Sequence, residues 1–217
     1  MTCGVLWTIQ SRFCSPEEHR RDWHVGKDYA ILFGMSSLVD FNPFLATPQP
    51  PDLGPGPRAG VQSESDLSRA LDTALRGSSI PAEKQRLIRA LILLWHDHLD
   101  AGHELAQSIE GADGAFVHGI MHRREPDSGN AAYWFRRVGR HPAFAEIARR
   151  VAGFPAEKTQ AELFQNLIKN GEWDPFAFIN ECGKAAGQPI SGSTQQYLRE
   201  VQRLETEALL AYFAQNH

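Results

Sequence analysis

Beyond about residue 60, apolar side chains in this chain recur at three- and four-residue spacing, and nowhere do they alternate for long. That period is helical. Leu67, Ala70, Leu71, Ala74 and Leu75 form the first stripe, behind a Ser63 cap and ahead of Gly77. Ser79, Pro81 and Glu83 then open one long helix predicted to run from Pro81 to about Ile109, with Leu87, Ile88, Leu91, Trp95, Gly102, Leu105, Ala106 and Ile109 on its core side. Further helices are predicted from Ala115 to about Arg124, from Asn130 to Val138, from Pro142 through Val151, from Ala156 to Asn170, from Asp174 to about Ala186, and from Thr194 to Gln215. No hairpin dipeptide joins two apolar runs. The fold class is therefore all-α, an irregular helical bundle with a central antiparallel helical hairpin.

Residues 1 to 60 lack such periodicity, and the stretch NPFLATPQPPDLGPGPRAG, residues 42 to 60, holds six Pro and three Gly. Neither helix nor ladder can run there. The expected organisation is an extended Pro/Gly-rich arm over 1–60 that adds little to the core, followed by a single all-α domain over 61–217.

Composition narrows the function classes. With 217 residues, 42% of them hydrophobic, the chain has material for a real core. A formal net charge of −4 argues against a surface built for nucleic acid or for an anionic membrane. Cys3, Cys14 and Cys182 are odd in number and lack C-x-x-C spacing, which points away from a disulfide framework and from a thiolate zinc site. No apolar run approaches the ~20 residues of a membrane span, and GVLWTI near the start lacks the positive lead of a signal peptide. A cytoplasmic protein is expected.

Two polar stripes carry the candidate chemistry. His96, Asp100, His103 and Gln107 align along the long helix, opposite its core side. A solvated face would explain them, but such faces favour Lys and Glu over His, and Leu93 shares their sector. His98 turns toward the core and is expected to be a hydrogen-bonded structural histidine. On the next helix His118, His122 and Glu125 repeat the spacing; Gly119 follows His118, so the H-E-x-x-H of zincins is absent. In an antiparallel hairpin His103 would lie level with His118, Asp100 with His122, and His96 with Glu125. Metal ligands are thus expected at His96, His103, His118 and His122, with Asp100 and Glu125 as catalytic carboxylates. Imidazole and carboxylate suit Zn, Fe, Mn or Ni. A hydrogen-bonded polar network is the alternative.

From His118 to Arg150 there are seven Arg and three acidic residues. Arg123, Arg124, Asn130, Tyr133 and Arg136 would converge across the turn EPDSGN to bind a small anionic or polar molecule. The competing reading pairs those Arg with Glu125, Asp127 and Glu146, and puts Trp134 and Phe135 in the core. No G-x-S-x-G, P-loop or G-x-G-x-x-G pattern occurs. The segments LWHDHLDAGHELAQ and GAFVHGIMHRREPDSGNAAYWFRRVGRHP resemble the signature of a family of uncharacterised bacterial and fungal proteins. The resemblance covers roughly residues 95–144 and implies no reaction. Together these features point to an enzyme with a His/carboxylate site, metal-bearing or not, that acts on a small anionic or polar metabolite. The alternative is a non-catalytic binding module around a buried His/Asp/Arg network.

Overall fold

The computed structural model describes residues 39–154 and 160–215. Among them the chain forms ten helices: α1 (Asn42–Leu45), α2 (Glu64–Leu75), α3 (Ala82–Trp95), α4 (Leu99–Gln107), α5 (Gly111–Arg124), α6 (Ser128–Val138), α7 (Ala143–Gly153), α8 (Ala161–Leu167), α9 (Pro175–Ala185) and α10 (Ser193–Phe213). Two-residue strands, β1 (Ile168–Lys169) and β2 (Glu172–Trp173), pair antiparallel. The all-α reading holds, and helix pairs pack as in a bundle. No helix among the described residues is long and apolar enough to cross a membrane.

Caps place several starts as expected. Ser63 Oγ accepts from the Asp66 N–H, and Asp174 accepts from the Phe176 and Ala177 N–H groups, with Pro175 in the first turn of α9. One start falls outside the described residues, the predicted helix opening at Ala156. What is described there is shorter, because Asn170 and Gly171 both take positive φ and turn the chain into the β1–β2 hairpin.

The long helix predicted from Pro81 to Ile109 is in fact two. Its first half ends at Trp95, Asp97 takes φ +66°, and α4 restarts at Leu99. Local propensity does not demand this break. It is held by tertiary contacts, since the Asp97 carboxylate, 1% exposed, accepts from Arg58 Nη1 at 2.5 Å, from the Arg58 N–H at 2.9 Å and from Arg124 Nη2 at 2.7 Å. Asp is among the few residues that take left-handed backbone at low cost. The surplus positive charge is spread over carbonyls: Arg58 also donates to Trp95 O, and Arg124 to Leu94 O and Gly54 O. Gly56 comes so close to this carboxylate that a Cβ there would lie 2.7 Å from Asp97 Cγ.

The same contacts correct the expectation of an arm that adds little to the core. Phe41, Phe44 and Leu53 are buried in the core, and Arg199 and Gln202 of α10 donate to the carbonyl of Pro51. Residues 39–62 form a strap, irregular except for the one turn of α1, where Pro43 sits in the first turn and so does not prevent the helix that was not expected over 42–60; the rest packs through backbone carbonyls and single side chains. Residues 1–38 lie outside the described residues. His96 is part of this clamp: its Nε2 donates to Phe44 O at 2.8 Å, and its Nδ1 accepts from the Gln62 N–H at 3.1 Å.

Two outcomes follow from these buried polar groups. Replacing Asp97 by Ala leaves two guanidinium groups without their carboxylate, so urea denaturation should report a loss of about 3–5 kcal/mol; a loss under 1 kcal/mol would show that the break does not depend on it. His96 is locked as one neutral tautomer, and burial lowers its pKa below the ordinary 6.5. The unfolded chain therefore takes up the proton first. Stability from this group is complete above about pH 6.5 and declines as pH drops below it. Denaturation at pH 7.5 and 5.5 should show the decline in wild type, and a shallower one in His96→Gln.

Candidate metal site

The site lies between α4, α5 and α6. The loop after Gln107 turns α4 back along α5, which sets His103 of α4 against His118 of α5, with His122 one turn further on. One ring nitrogen from each of these three histidines lies within 4.8 Å of the other two. His103 Nε2 and His118 Nε2 are 2.7 Å apart, so a single proton lies between them. His118 and His122 stack at 5.0 Å with 16° between their planes, and His103 meets both edge-on.

On its other flank His118 carries Trp134 of α6, with centroids 3.8 Å apart and planes 18° from parallel. That contact needs a close approach of α5 and α6. Gly119 provides it, since a Cβ there would meet the Phe135 ring at 2.8 Å. The start of α6 is fixed by Asp127, which accepts from the Asn130 N–H at 3.0 Å. Beyond the indole, Arg137 Cζ sits 5.3 Å from the Trp134 ring centre and 5.9 Å from that of Tyr133.

Burial, together with the neighbouring His103 and His122, pushes His118 down to about 4, so it is neutral at physiological pH. Neutral imidazole is the ligating form. Glu125 lies outside the triad and accepts from His122 Nδ1 at 3.0 Å. This fixes the tautomer that leaves Nε2 free as a ligand, the role carboxylates play behind metal-bound histidines. The donor set fits a divalent cation. Three bonds of about 2.0–2.1 Å in tetrahedral geometry place their nitrogens about 3.3 Å apart. Reaching that spacing asks the His103–His118 pair to open slightly and the widest pair to close by at most about 1.5 Å, which side-chain rotation supplies.

Other expected site residues lie elsewhere. His96 belongs to the strap clamp with both ring nitrogens engaged, because the break after Trp95 takes it off the line of His103. Asp100 is exposed on the first turn of α4, outside the three-histidine group. Of the three expected pairs across the hairpin, the structure brings together His103 and His118. His98 is hydrogen-bonded, as expected, but to Gln62 O and half-buried, not turned into the core.

Arg123 and Arg124 do not face a substrate mouth. Arg123 forms a bidentate buried pair with Glu205 of α10, at 3.0 and 2.5 Å, and Arg124 belongs to Asp97. Their carboxylates are thus not the Glu125, Asp127 and Glu146 that sequence proximity suggested. Asn130 is exposed and donates its backbone N–H and side-chain amide to the capping carboxylate of Asp127, while Tyr133 and Arg136 are exposed. The sequence leaves Trp134 as either stacking surface or core, and it does not single out Arg137. A helical wheel of α6 would have put Asn130, Trp134 and Arg137 on one face.

A second His–carboxylate group, His141 with Asp113 and Lys84, is closed. His141 Nε2 donates to Asp113 Oδ1 at 2.7 Å, and its Nδ1 accepts from the Ala143 N–H at 3.1 Å. It has no lone pair to spare. Comparison of the chain with family models, curated proteins and solved structures finds no match.

Glu125 is exposed and holds no core element, so Glu125→Gln should leave the melting temperature nearly unchanged while weakening Zn2+ or Co2+ affinity about 10- to 100-fold. Competition with a chromogenic chelator measures this. Unchanged affinity would remove Glu125 from the site.

Proposed function

We propose that this protein is a metal-dependent enzyme that holds one divalent cation on His103, His118 and His122 and acts on a small anionic or polar molecule. The observation that carries the reading is the convergence of three ring nitrogens from two helices, with a carboxylate set behind one of them. Zn, Fe, Mn and Ni all suit such a donor set. A cation held by His103, His118 and His122 would supply a Lewis acid and would lower the pKa of a coordinated water, to about 7 in the case of Zn2+.

The chain's own groups have separate parts in this reading. Three neutral imidazoles leave the charge of the cation uncompensated, which favours an anionic substrate. Trp134 covers one face of His118 and keeps water from that side. Glu125 acts through His122 as a positioning residue.

The non-catalytic alternative has one observation in its favour, the direct His103–His118 contact at 2.7 Å, which is also how a closed hydrogen-bonded pair would look. Elemental analysis of untagged, metal-loaded protein separates the two. The expected result is one metal per chain, with stoichiometry lost in His118→Ala and in His122→Ala and kept in His98→Ala. No stoichiometric metal in loaded wild type would leave the network reading in its place.

A further inference from the structure

Substrate recognition at this site has no cation from the expected set: Arg123 and Arg124 are bound inside the protein, and Arg136 is exposed with no contact to the histidines or Trp134 among the described residues. Arg137 is different. It is exposed, no carboxylate among the described residues pairs with it, and it is held instead over two aromatic rings, Trp134 and Tyr133. Trp134 in turn stacks on His118, and the two separations, 3.8 and 5.3 Å, place the guanidinium within about 9 Å of the His118 ring.

We propose that Arg137 is the anion anchor of the three-histidine site, binding a carboxylate or phosphate group of the substrate while the reacting end lies at the metal. This rests on the metal-dependent reading above. A cation–π contact uses the face of a guanidinium and leaves its N–H edges for a second partner. Those edges form the planar fork that matches two oxygens of a carboxylate or a phosphate. Two ring contacts also restrict the side chain before any ligand arrives, so less rotamer entropy is lost on binding than for a freely moving surface Arg.

The substrate class follows from the spacing. The oxyanion and the reacting atom must be separated by several bonds, because the indole that stacks on His118 also carries Arg137 over its ring, and the two separations span up to about 9 Å. The linking part passes beside Trp134 and Tyr133, the latter 46% exposed. It therefore needs apolar or planar character in the middle and negative charge at one end. A small anion bound directly to the cation would not reach Arg137, and a neutral polar molecule would not need it.

The test uses full-length protein loaded with one equivalent of Co2+, whose visible absorption reports its ligands. Succinate and phenyl phosphate serve as probes for the carboxylate and phosphate arms. Each should perturb the spectrum of wild type with saturation, and in Arg137→Gln at least one should bind about tenfold more weakly, with Arg137→Lys intermediate. Co2+ affinity should be the same in all three, and Arg136→Gln should behave as wild type. Whichever probe loses most identifies the oxyanion. Equal probe affinity in wild type and Arg137→Gln overturns the assignment, as does an equal loss in Arg136→Gln, which would mean general surface charge. Failure of wild type to take up Co2+ is a separate result: it overturns the metal reading, and the anchor falls with it.

Discussion

Asp97 is the residue on which the architecture turns. A carboxylate taken out of water is costly unless it is paired and hydrogen-bonded, and here two guanidinium groups and a backbone N–H meet it from two distant parts of the chain. Arg58 brings the strap, Arg124 brings α5, and Asp97 itself interrupts what would otherwise be one helix. Those three elements are fixed relative to one another at a single point. The direction of α4 follows from it, and so does the face that His103 presents to α5. A core of Leu and Ile from α3 would tolerate several rotations of α4; an ion pair with directed hydrogen bonds tolerates far fewer.

Helix α5 then divides its labour by face. Phe116, Val117, Ile120 and Met121 are core, Arg123 and Arg124 point inward to buried carboxylates, and His118 and His122 point to the site. Almost every side chain on it is committed. The charged pairs are sealed away from the imidazoles, so the histidines are not drawn into contacts with Glu205 or Asp97 and remain available as ligands. Arg123 and Glu205 also tie the end of α5 to α10, whose Arg199 grips the strap in turn.

What could be read from the chain and what could not separate along a physical line. Helical periodicity, Ser63 and Asp174 as caps, and the facing of His103 and His118 across a short turn are local or nearly local, and they were legible. The break at Asp97 was not, because its partners lie 27 and 39 residues away and nothing in WHDHL opposes a helix. The roles of Arg123 and Arg124 failed for the same reason. An excess of Arg over acid within one stretch says little when the pairing carboxylate, Glu205, is 82 residues distant. The strap was misjudged because periodicity detects regular elements only. A Pro-rich segment that buries Phe41, Phe44 and Leu53 individually leaves no repeat to find.

Gly119 has no side chain to offer the site, yet it sets the site's depth. With no side chain there, the Phe135 ring fills the space where a Cβ would be, and Trp134, the residue just before Phe135, comes down flat on His118. Even a methyl group at position 119 would act as a wedge at the helix crossing. The indole, carried on the same turn of α6, would lift as on a lever and open the sheltered side of His118 to water. The tightness of the aromatic cover is thus governed from the far side of the helix pair, by the one position where the chain supplies nothing.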